Sequence, residues 1–588
     1  MRHPLPWVAL AAIALTPPAY ATVAPGLLDP DAIHHRLAMP DRNRLADDLV
    51  TLRVAARRGD VTRASLLIQA LDGTFSPVPM ERFASTSKGD SFRVALRPKG
   101  ELLSYGFWLE DKKGGHFYGA DGLSELPGKP FSWTWKDQAV FRTPEWAHGT
   151  VFYQIFPERF GNGDRRNDPP HAEAWGGKPR VDNFFGGDLQ GVRDHLGYLS
   201  QLGVEALYFN PIFESTSNHK YNTTDYLKID PHFGTEDDFR TLARDAHARG
   251  MKIMLDGVFN HTGTNFWAFQ EAMKKGPKSP YWHWYTFDGF PVTIDPKPNY
   301  RAWWGFSSLP QLNNINPEVR DYLLKVGRYW IGPDMADAWR LDVPNEVPRD
   351  YWIRFREAVH DTNPEGLIVG EIWDDASQWL AGDNFDSVMN YRFRSAVLDF
   401  VAYEKTDATA FGDALDQIQV DYGDQVEPVL LNLLDSHDTA RFLHEAGEDK
   451  AKLRLAVLLQ MTMPGMPCIY YGDEVGMTGA GDPDCRRCME WDSRKQDREL
   501  LHDYQAMIRL RKEHPALRNG AYERLETSAP RVAAYLRREG KERYLVVVNA
   551  GKTPFDVTTL GLKTRQLIYG SLNHQQLAGH QGAVLQLE

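Results

Sequence analysis

The sequence predicts an α/β protein: a (β/α)8 TIM barrel, with a subdomain inserted after strand 3, flanked by N-terminal and C-terminal β-sandwich domains. First, 588 residues are too many for one hydrophobic core. Second, from 146 to 515 short apolar runs alternate with amphipathic stretches, which is the pattern of repeated βα units. Third, the segments 47–137 and 516–588 carry short alternating runs separated by turn residues, which is typical of antiparallel sheets.

The first 21 residues have the pattern of a signal peptide. A basic start precedes a short apolar run, and Ala19-Tyr20-Ala21 fits a small-x-small cleavage site. The run is too short to span a bilayer, and no other segment is a membrane candidate. We therefore expect an exported protein, periplasmic or secreted, without a membrane partner; an uncleaved N-terminal helix is the alternative. Residues 22–46 are predicted to be a linker.

Each flanking domain is predicted from its strand-like runs. The N-terminal domain contains "LVTLRVAA", "SFRVAL", "LLSYGFWLE" and "HFYGA". The tail contains "RVAAYLRR", "RYLVVVNA" and "RQLIYG". Alternation of apolar and polar residues is expected where one face of a strand is buried and the other is wet.

Eight apolar runs are candidates for the barrel strands. They are "TVFYQIFP", "VEALYFNPI", "KIMLDGVFNH", "ADAWRLDV", "GLIVGEIW", "FDSVMNY", "PVLLNLLDSHD" and "PCIYYGDE". An open doubly wound sheet is the alternative, but no Gly-rich phosphate turn supports it. An aromatic-rich insertion, 262–309, follows the third run and is expected to lie over the mouth of the barrel.

Charge and cysteine content narrow the classes of partner. The net charge is −12 and no basic stripe is present, which argues against a nucleic-acid partner.

The three cysteines, Cys468, Cys485 and Cys488, do not form a disulfide scaffold. Cys485 and Cys488 form a lone C-x-x-C, which is weak support for zinc. A local disulfide or two free thiols are favoured instead.

Polar residues collect where the predicted barrel strands end. In a barrel these ends share one face, where active sites form. A single Asp at a strand end is adequately explained as a loop cap. Acids paired repeatedly with Arg or His at apolar strand ends are not, so we expect a converging site. Its members are Asp256, Asn260, His261, Arg340, Asp342, Glu371, His437 and Asp438.

This set of residues suits cleavage of a glycosidic bond. Such enzymes need one ionised carboxylate and one protonated carboxyl. Arg340 and Asp342 are two positions apart, so their side chains leave the strand on the same face. We expect the guanidinium to orient Asp342 and lower its pKa. Glu371 lies among apolar neighbours, a setting that suits a proton donor.

Four segments carry a resemblance to a known family. "DGVFNH", "WRLDVPNEV", "VGEIW" and "LLDSHD" occur in the order of the signature segments of the alpha-amylase family of retaining glycoside hydrolases. The surrounding sequence resembles the neopullulanase, cyclomaltodextrinase and maltogenic amylase branch. The resemblance implies cleavage of α-1,4 bonds in cyclodextrins, maltooligosaccharides, pullulan or starch, through a covalent glucosyl-Asp intermediate, with some transglycosylation. It also implies an N-terminal domain similar to a carbohydrate-binding module.

The resemblance assigns roles residue by residue. Asp342 matches the nucleophile, Glu371 the general acid/base, and Asp438 the third carboxylate, which holds sugar hydroxyls. Asp482 and Arg486 match a pair that holds the next sugar, although a plain loop ion pair explains them almost as well. The substrate-binding residues implied in this way are Tyr221, Asp256, Asn260, His261, Arg340, Asn345, Glu346, Trp373, His437, Asp482 and Arg486.

A calcium site is a further candidate. "NGDRRND" offers Asn162, Asp164, Asn167 and Asp168 in one turn-rich loop, and hard oxygen ligands suit Ca²⁺. From the residues alone an Asx turn is the better interpretation. The branch, however, has a structural calcium site with this spacing, completed by residues that match Gly186 and Asp188.

Two other functions stay open. One is an enzyme that mainly transfers glucosyl groups, and the other is a non-catalytic glucan-binding protein on the same fold. Trp303 and Trp304, in the insertion, have no assignable counterpart in the branch. In that branch the N-terminal domain often covers a partner's active site in a homodimer, and the sequence leaves the oligomeric state open.

Overall fold

A computed structural model describes residues 28–588. The predicted signal peptide and the start of the predicted linker lie outside the described residues. Over residues 28–588, each helix is too short or too polar to cross a bilayer.

The N-terminal domain is a β-sandwich of two antiparallel sheets. One sheet has the order β1-β2-β6-β5, and the other has the order β4-β3-β7-β8-β9 with β10 added to β7. Alternate side chains of both sheets face a shared apolar core that includes Leu52, Phe92 and Phe107. The strands are β1 (Arg42–Ala46), β2 (Leu49–Ala56), β3 (Arg63–Gln69), β4 (Phe75–Pro79), β5 (Glu81–Thr86), β6 (Gly89–Leu96), β7 (Leu102–Glu110), β8 (Gly115–Gly119), β9 (Gly122–Ser124) and β10 (Phe131–Thr134).

The predicted linker is wrong over its last residues. Arg42–Ala46 form an edge strand that pairs antiparallel with β2. Its register shifts between Arg44 and Ala46, and its composition is polar, so it has no regular alternation to reveal it. The domain therefore begins before residue 47.

The central domain is a closed barrel of parallel strands. Within the described residues, its eight strands follow the order β18-β17-β16-β15-β12-β11-β20-β19, and a parallel bridge between Met389 and Leu431 joins the two ends. A hairpin, β13–β14, lies outside the ring. The strands are β11 (Phe152–Ile155), β12 (Ala206–Phe209), β13 (Phe213–Ser215), β14 (Thr223–Ile229), β15 (Lys252–Gly257), β16 (Ala338–Leu341), β17 (Leu367–Gly370), β18 (Ser387–Val388), β19 (Leu431–Leu433) and β20 (Met466–Tyr470).

Helices surround this barrel and cap its connections. Thr235 and Asp238 form a reciprocal capping box at the start of α4, which satisfies exposed backbone donors. The helices are α1 (Pro157–Phe160), α2 (Leu189–Asp194), α3 (Leu196–Leu202), α4 (Glu236–His247), α5 (Trp267–Lys275), α6 (Pro317–Tyr329), α7 (Arg349–Thr362), α8 (Tyr391–Val397), α9 (Ala408–Asp421), α10 (Phe442–Glu445), α11 (Lys450–Thr462), α12 (Arg498–Glu513) and α13 (Pro515–Arg518).

Each barrel strand separates two apolar layers. Trp339 faces outward, where its indole N–H donates to the carbonyl of Gly327 in α6 and its ring meets Phe355 of α7. Ala338 faces inward into a smaller core that includes Met254. Because side chains alternate along a strand, Arg340 also faces inward, but at the carboxyl end of β16.

The insertion after β15 packs over one side of the barrel mouth. It contains α5 and short 3-10 turns, including Trp282–Trp284 and Trp303–Gly305. A bridge between His261 and Gln311 ties its return to the end of β15. The inserted aromatic residues therefore lie directly beside the site that the strand ends form.

The C-terminal domain is again β-structure. Its main sheet has the order β21-β22-β23-β27-β25, and β24 pairs with β26. Val547 and Leu585 lie in its apolar core. The strands are β21 (Ala521–Leu525), β22 (Val532–Glu539), β23 (Glu542–Asn549), β24 (Phe555–Asp556), β25 (Thr564–Tyr569), β26 (Gln576–Leu577) and β27 (Gln581–Leu587).

Candidate active site

The centre of the site is the buried guanidinium of Arg340. Its Nη1 lies 2.7 Å from Asp256 Oδ1 and 3.0 Å from Asp342 Oδ1. Its Nη2 lies 2.7 Å from Glu371 Oε2. Nη2 makes no aligned hydrogen bond, so the last contact is a charge contact. One cation at the end of β16 thus holds carboxylates from the ends of three neighbouring strands.

Glu371 is fixed from two further sides. The backbone N–H of Val343 donates to Oε2 at 3.2 Å, and the indole N–H of Trp373 donates to Oε1 at 3.1 Å. Trp373 itself stacks on Tyr391, with ring centroids 4.0 Å apart and an interplanar angle of 9°. Tyr391 was not predicted as a site residue, but it closes the run "FDSVMNY" at the end of β18.

The chain turns sharply just after the nucleophile candidate. Val343 has φ +36°, and a 3-10 helix, Pro344–Glu346, follows it. A β-branched residue at positive φ is strained, and such strain persists only where the surroundings impose it. The turn directs the Val343 N–H at Glu371, and it places Asn345 at the surface beside the half-buried Glu346.

A hydrogen-bond network supports the opposite wall. The Tyr221 hydroxyl donates to Asp256 Oδ2 at 2.8 Å and lies 2.6 Å from His437 Nε2. The Tyr221 and His437 rings are parallel within 2°. Tyr208 also donates to Asp256 Oδ2, at 3.0 Å, and Gln154 binds His437 Nδ1 at 2.9 Å.

Sequence reasoning missed these two supporting residues. Gln154 and Tyr208 sit inside apolar strands, β11 and β12, and both are buried. The signal that identified Arg340, a polar group on the inward face of an apolar strand, is present at both positions.

Asp438 lies between the guanidinium of Arg486 and the imidazole ring of His437. His437 Nε2 is 3.0 Å from its Oδ2, and Arg486 Nη2 is 3.4 Å from its Oδ1. Arg486 also pairs with Asp482, with 3.0 Å between Nη1 and Oδ1, and its Nε donates to the His437 carbonyl. The predicted pair of Asp482 and Arg486 therefore reaches the third carboxylate.

The cysteines beside this wall are free thiols. Cys468, Cys485 and Cys488 are all buried and unpaired in the described chain. The Cys485 thiol donates to the His437 carbonyl at 3.3 Å. Of the alternatives for the C-x-x-C, the structure therefore has two free thiols. Burial raises the pKa of Cys485 to about 12, which keeps it a thiol.

Burial dominates the ionisation of the carboxylates. It raises the pKa of Asp342 well above its usual range; Arg340 opposes the rise, and Glu371 adds to it. Arg340 thus acts on the pKa of Asp342 in the expected direction, but burial acts against it and sets the net direction. Desolvation outweighs the attraction of the shared cation. Burial also raises the pKa of Asp438 to about 7.

The two histidines of the site are held neutral. Burial lowers the pKa of His261 to about 4, and it lowers the pKa of His437 well below its usual range. Neutral imidazoles can both donate and accept hydrogen bonds, which suits them to sugar hydroxyls. His261 Nε2 is buried without a partner, so it is free to bind a ligand hydroxyl.

The insertion contributes to the site through His261. Trp303 stacks on the His261 ring at 5.1 Å, and Asn260 accepts from Gln311 at 3.0 Å. The indoles of Trp303 and Trp304 both donate to Glu346 Oε1, at 3.1 and 2.9 Å. These tryptophans could not be placed from sequence because Glu346 lies more than 40 residues away in the chain.

The loop predicted to bind calcium is compact. Asp188 caps α2 and accepts the backbone N–H groups of Gly163 at 3.1 Å and Asp164 at 2.8 Å. Asn162 Nδ2 donates to Asp168 Oδ1 at 2.7 Å. The Asp164 carboxylate turns away and pairs with Arg166 at 2.7 Å.

Three observations bear on a cation in this loop. The side-chain oxygens of Asn162 and Asn167 are buried without hydrogen-bond partners. A Cβ at Gly186 would lie 2.4 Å from Asp168 Oδ1, so only glycine fits there. Over residues 28–588, however, no three His, Cys, Asp or Glu side chains are grouped as metal ligands.

The arrangement can perform a double displacement at a sugar carbon. Asp342 and Glu371 come from adjacent strands and are held by one guanidinium. One can attack while the other transfers a proton, which is the division of labour in retaining glycosidases. All fourteen residues predicted for catalysis and substrate binding belong to the ends of barrel strands or the loops that follow them.

Comparison with known proteins agrees with this chemistry. Residues 154–520 match the alpha amylase catalytic domain, and residues 28–143 match the alpha amylase N-terminal ig-like domain. A cyclomaltodextrinase of Bacillus sp is 44% identical over 535 residues, 89% of this chain and 96% of the relative. Neopullulanase 2 of Thermoactinomyces vulgaris is 46% identical over 503 residues, 83% of this chain and 86% of the relative.

Solved structures show the same likeness. A cyclomaltodextrinase structure superposes with a TM-score of 0.88 at 40% identity and covers 94% of this chain and 99% of its own. A cyclic alpha-maltosyl-(1-->6)-maltose hydrolase from Arthrobacter globiformis has a TM-score of 0.72 at 40% identity, and the match covers 76% of this chain and 99% of the hydrolase. Because the alpha amylase catalytic domain matches more than half of its residues, this chain belongs to the alpha-amylase family of glycoside hydrolases.

Proposed function

We propose that the protein is a retaining hydrolase of α-1,4-glucosidic bonds that acts on cyclodextrins and maltooligosaccharides ahead of pullulan and starch. The observation that carries the proposal is the single guanidinium of Arg340 between Asp342 and Glu371. Relatives named cyclomaltodextrinase and neopullulanase, at 44% and 46% identity, support the class of substrate.

The proposed reaction has two steps. Asp342 Oδ attacks the anomeric carbon while Glu371 gives its proton to the leaving glycosidic oxygen, so the C–O bond breaks and a glucosyl-Asp342 ester forms. Glu371, now ionised, takes a proton from water, and the resulting hydroxide oxygen displaces Asp342. Asp438 and the neutral histidines hold the sugar hydroxyls through both steps.

The substrate preference is tested by initial rates on β-cyclodextrin, pullulan and soluble starch at equal glucosyl concentration. We expect the highest kcat/KM on β-cyclodextrin. A strong preference for starch would overturn the cyclodextrin-first order, and inactivity on all three substrates would overturn the proposed function.

Transfer to a sugar acceptor is the second candidate for the main reaction. It is favoured by the exposed indole of Trp373 and by Asn345 and Glu346, which lie where an acceptor sugar would approach Glu371. The ratio of transfer to hydrolysis products at high maltose concentration separates the two. A ratio that stays below one as maltose is raised supports hydrolysis.

We propose a structural Ca²⁺ in the loop of Asn162, Asn167, Asp168, Gly186 and Asp188. Amide and carboxylate oxygens are the donors Ca²⁺ prefers, and the two unpartnered amide oxygens are the best-fitting members. Asp164 fits less well, because Arg166 occupies its carboxylate. The ion would brace the loop and take no part in the reaction.

The calcium proposal is tested by thermal unfolding with EDTA and with added Ca²⁺. We expect EDTA to lower Tm and Ca²⁺ to restore it. Asn167→Ala should lose this response, whereas Asp182→Asn, at an exposed position of the same region, should keep it. An unchanged Tm in EDTA for the unaltered protein would contradict the proposal.

We also propose export, with a signal peptide cleaved after Ala21, because the first residues combine a basic start, an apolar run and a small-x-small site. The test is the N-terminal sequence of protein recovered from periplasm and from medium. A retained Met1 in both fractions would overturn it.

A homodimer is the last element of the proposal. It rests on the N-terminal domain, which in the resembled branch often covers a partner's active site. Sedimentation equilibrium measures it: a mass of twice that of the mature chain supports the dimer, and a single species with the mass of one mature chain rejects it.

A further inference from the structure

A ladder of three aromatic rings leads outward from the site. The His261 ring stacks on Trp303 at 5.1 Å and 18°, and Trp303 stacks on Trp304 at 5.0 Å and 22°. The first ring is buried, whereas Trp304 at the outer end is 76% exposed. The ladder therefore presents one face of the Trp304 indole to solvent. Trp303 lies between this indole and His261, which belongs to the candidate cleavage site.

The outer ring, Trp304, is held in a strained backbone conformation. Trp304 has φ +48°, which is an outlier for a bulky residue. Such a conformation persists where the surroundings determine it, and it is most often found at functional sites. Here Glu346 Oε1 accepts both indole N–H groups, from Trp303 at 3.1 Å and from Trp304 at 2.9 Å.

Glu346 is well placed to hold both tryptophans. It ends the 3-10 helix that follows Asp342 and Val343, so it belongs to the same short segment as the nucleophile candidate. The two hydrogen bonds therefore couple the insertion to that segment. Packing alone does not explain the arrangement, because a tryptophan that stabilises a core is buried, and this one is not.

We propose that Trp304 is a platform for a glucosyl unit of the substrate lying beyond the sugars at the cleaved bond, and that Glu346 is the positioning residue that holds it. The flat apolar face of a glucose ring can lie on an exposed indole, and the amphipathic indole suits a wet surface. The inference rests on the proposed α-glucan substrate and adds a determinant of its length.

The chemistry at the cleaved bond does not need this platform. A disaccharide fills the positions next to Asp342 and leaves Trp304 uncovered, whereas a longer saccharide reaches it. Trp304 should therefore strengthen the binding of maltohexaose and leave the binding of maltose unaltered.

The experiment measures Kd by calorimetry in an Asp342→Asn background, with maltose and maltohexaose as probes. We expect Trp304→Ala to weaken maltohexaose binding about fivefold and maltose binding by less than about twofold, on the scale of one aromatic contact. Trp304→Phe should keep most of the affinity. Phe290→Ala, at an exposed aromatic residue of the same insertion whose ring contacts Trp282 instead of the ladder, is the control and should change neither Kd.

Two variants test the role of Glu346. Glu346→Gln keeps an oxygen acceptor for the indoles and should retain the preference for maltohexaose. Glu346→Ala removes the acceptor and should reduce that preference in the same direction as Trp304→Ala. Equal loss of preference in both variants would indicate a direct charge effect and overturn the positioning role.

The outcomes separate this inference from the function on which it rests. If the Asp342→Asn protein binds neither maltohexaose nor β-cyclodextrin, the proposed function fails and the platform with it. If it binds maltohexaose and Trp304→Ala leaves the ratio of the two Kd values unchanged, the platform alone is overturned.

Discussion

Arg340 and Glu371 are in direct charge contact, with 2.7 Å between Nη2 and Oε2, although Arg340 also holds Asp342. The cation that orients the candidate nucleophile therefore also restrains the candidate proton donor. Removing it would leave three buried carboxylates without their counter-charge, so Arg340 is a poor target for separating roles. The carboxylates themselves are better targets.

Asp342→Asn should abolish turnover and leave substrate binding intact. The amide is a poor nucleophile, but it is nearly the same size as the carboxylate, and Arg340 keeps Asp256 and Glu371 as partners. Initial rates and calorimetry on β-cyclodextrin measure the two effects. Near-normal turnover in this variant would remove Asp342 from its assigned role.

Glu371→Gln should slow the hydrolysis of β-cyclodextrin by about 10²- to 10⁴-fold, which is the usual contribution of general acid–base catalysis to the rate. The loss should be much smaller for formation of the glucosyl-enzyme from 4-nitrophenyl α-maltoside, whose leaving group needs no proton. A pre-steady-state burst of nitrophenol measures this step. Equal losses on both substrates would argue against proton transfer by Glu371.

Tyr221→Phe should lower kcat/KM by about 10-fold, because it leaves the ring parallel to His437 but removes the hydroxyl between Asp256 and His437. Tyr221→Ala should also raise KM, because the family resemblance implies that the Tyr221 ring is the platform on which the sugar stacks. Comparison of kcat and KM for the two variants measures the separate contributions. Identical KM values for Phe and Ala would contradict a stacking role.

The barrel and its strand ends could be predicted from sequence because a buried parallel strand is a short apolar run. In such a run a polar residue such as Arg340 is conspicuous. Gln154 and Tyr208 carry the same signal in weaker form, because one amide or phenol interrupts the apolar character of a strand less than a charged guanidinium does. Their role becomes visible once the fold places β11 beside β12 and β12 beside β15.

Contacts between distant segments could not be predicted. Nothing local to "YRAWWGF" indicates that Trp303 and Trp304 reach Glu346, because the contact depends on how the insertion folds back. The effect of burial on the pKa of Asp342 could not be predicted for a related reason: the sequence shows the guanidinium that lowers this pKa, but the depth of burial that raises it is a property of the whole barrel.

The ionisation of Asp438 predicts a pH effect. Burial raises its pKa to about 7, and Arg486 acts against that rise. Asp438 accepts sugar hydroxyls best when ionised, so the acid limb of kcat/KM should lie near pH 7 in the free enzyme. Because the buried carboxylates of the site titrate together, the pKa read from this limb belongs to the set of carboxylates and not to Asp438 alone.

Arg486→Gln removes a cation from Asp438, so its pKa should rise and the acid limb should move to higher pH, by about one pH unit. The matched control is Arg494→Gln, which breaks an exposed pair with Asp492 away from the site. The measurement is kcat/KM against pH from 5 to 9. A limb that moves to lower pH in Arg486→Gln would contradict the assignment.

Asp416 predicts a pH-dependent stability at the contact between the N-terminal domain and α9. Its Oδ2 accepts the Ser85 N–H at 3.1 Å, and its Oδ1 has no partner. Burial raises its pKa to about 6 from an ordinary value of 3.8. The folded state therefore holds this proton more tightly than the unfolded state, and stability falls as pH rises from about 4 through 6.

Asp416→Asn should remove that dependence, because the neutral amide oxygen can still accept the Ser85 N–H. Relative to the unaltered protein, the variant should gain on the order of 2–3 kcal/mol more at pH 8 than at pH 4. Thermal unfolding at both pH values measures it, with Asp399→Asn, at an exposed pair with Lys405, as the control. Since the gain comes only from avoiding an ionised buried carboxylate, an equal change in Tm at both pH values would mean that Asp416 is not protonated in the folded protein near pH 5.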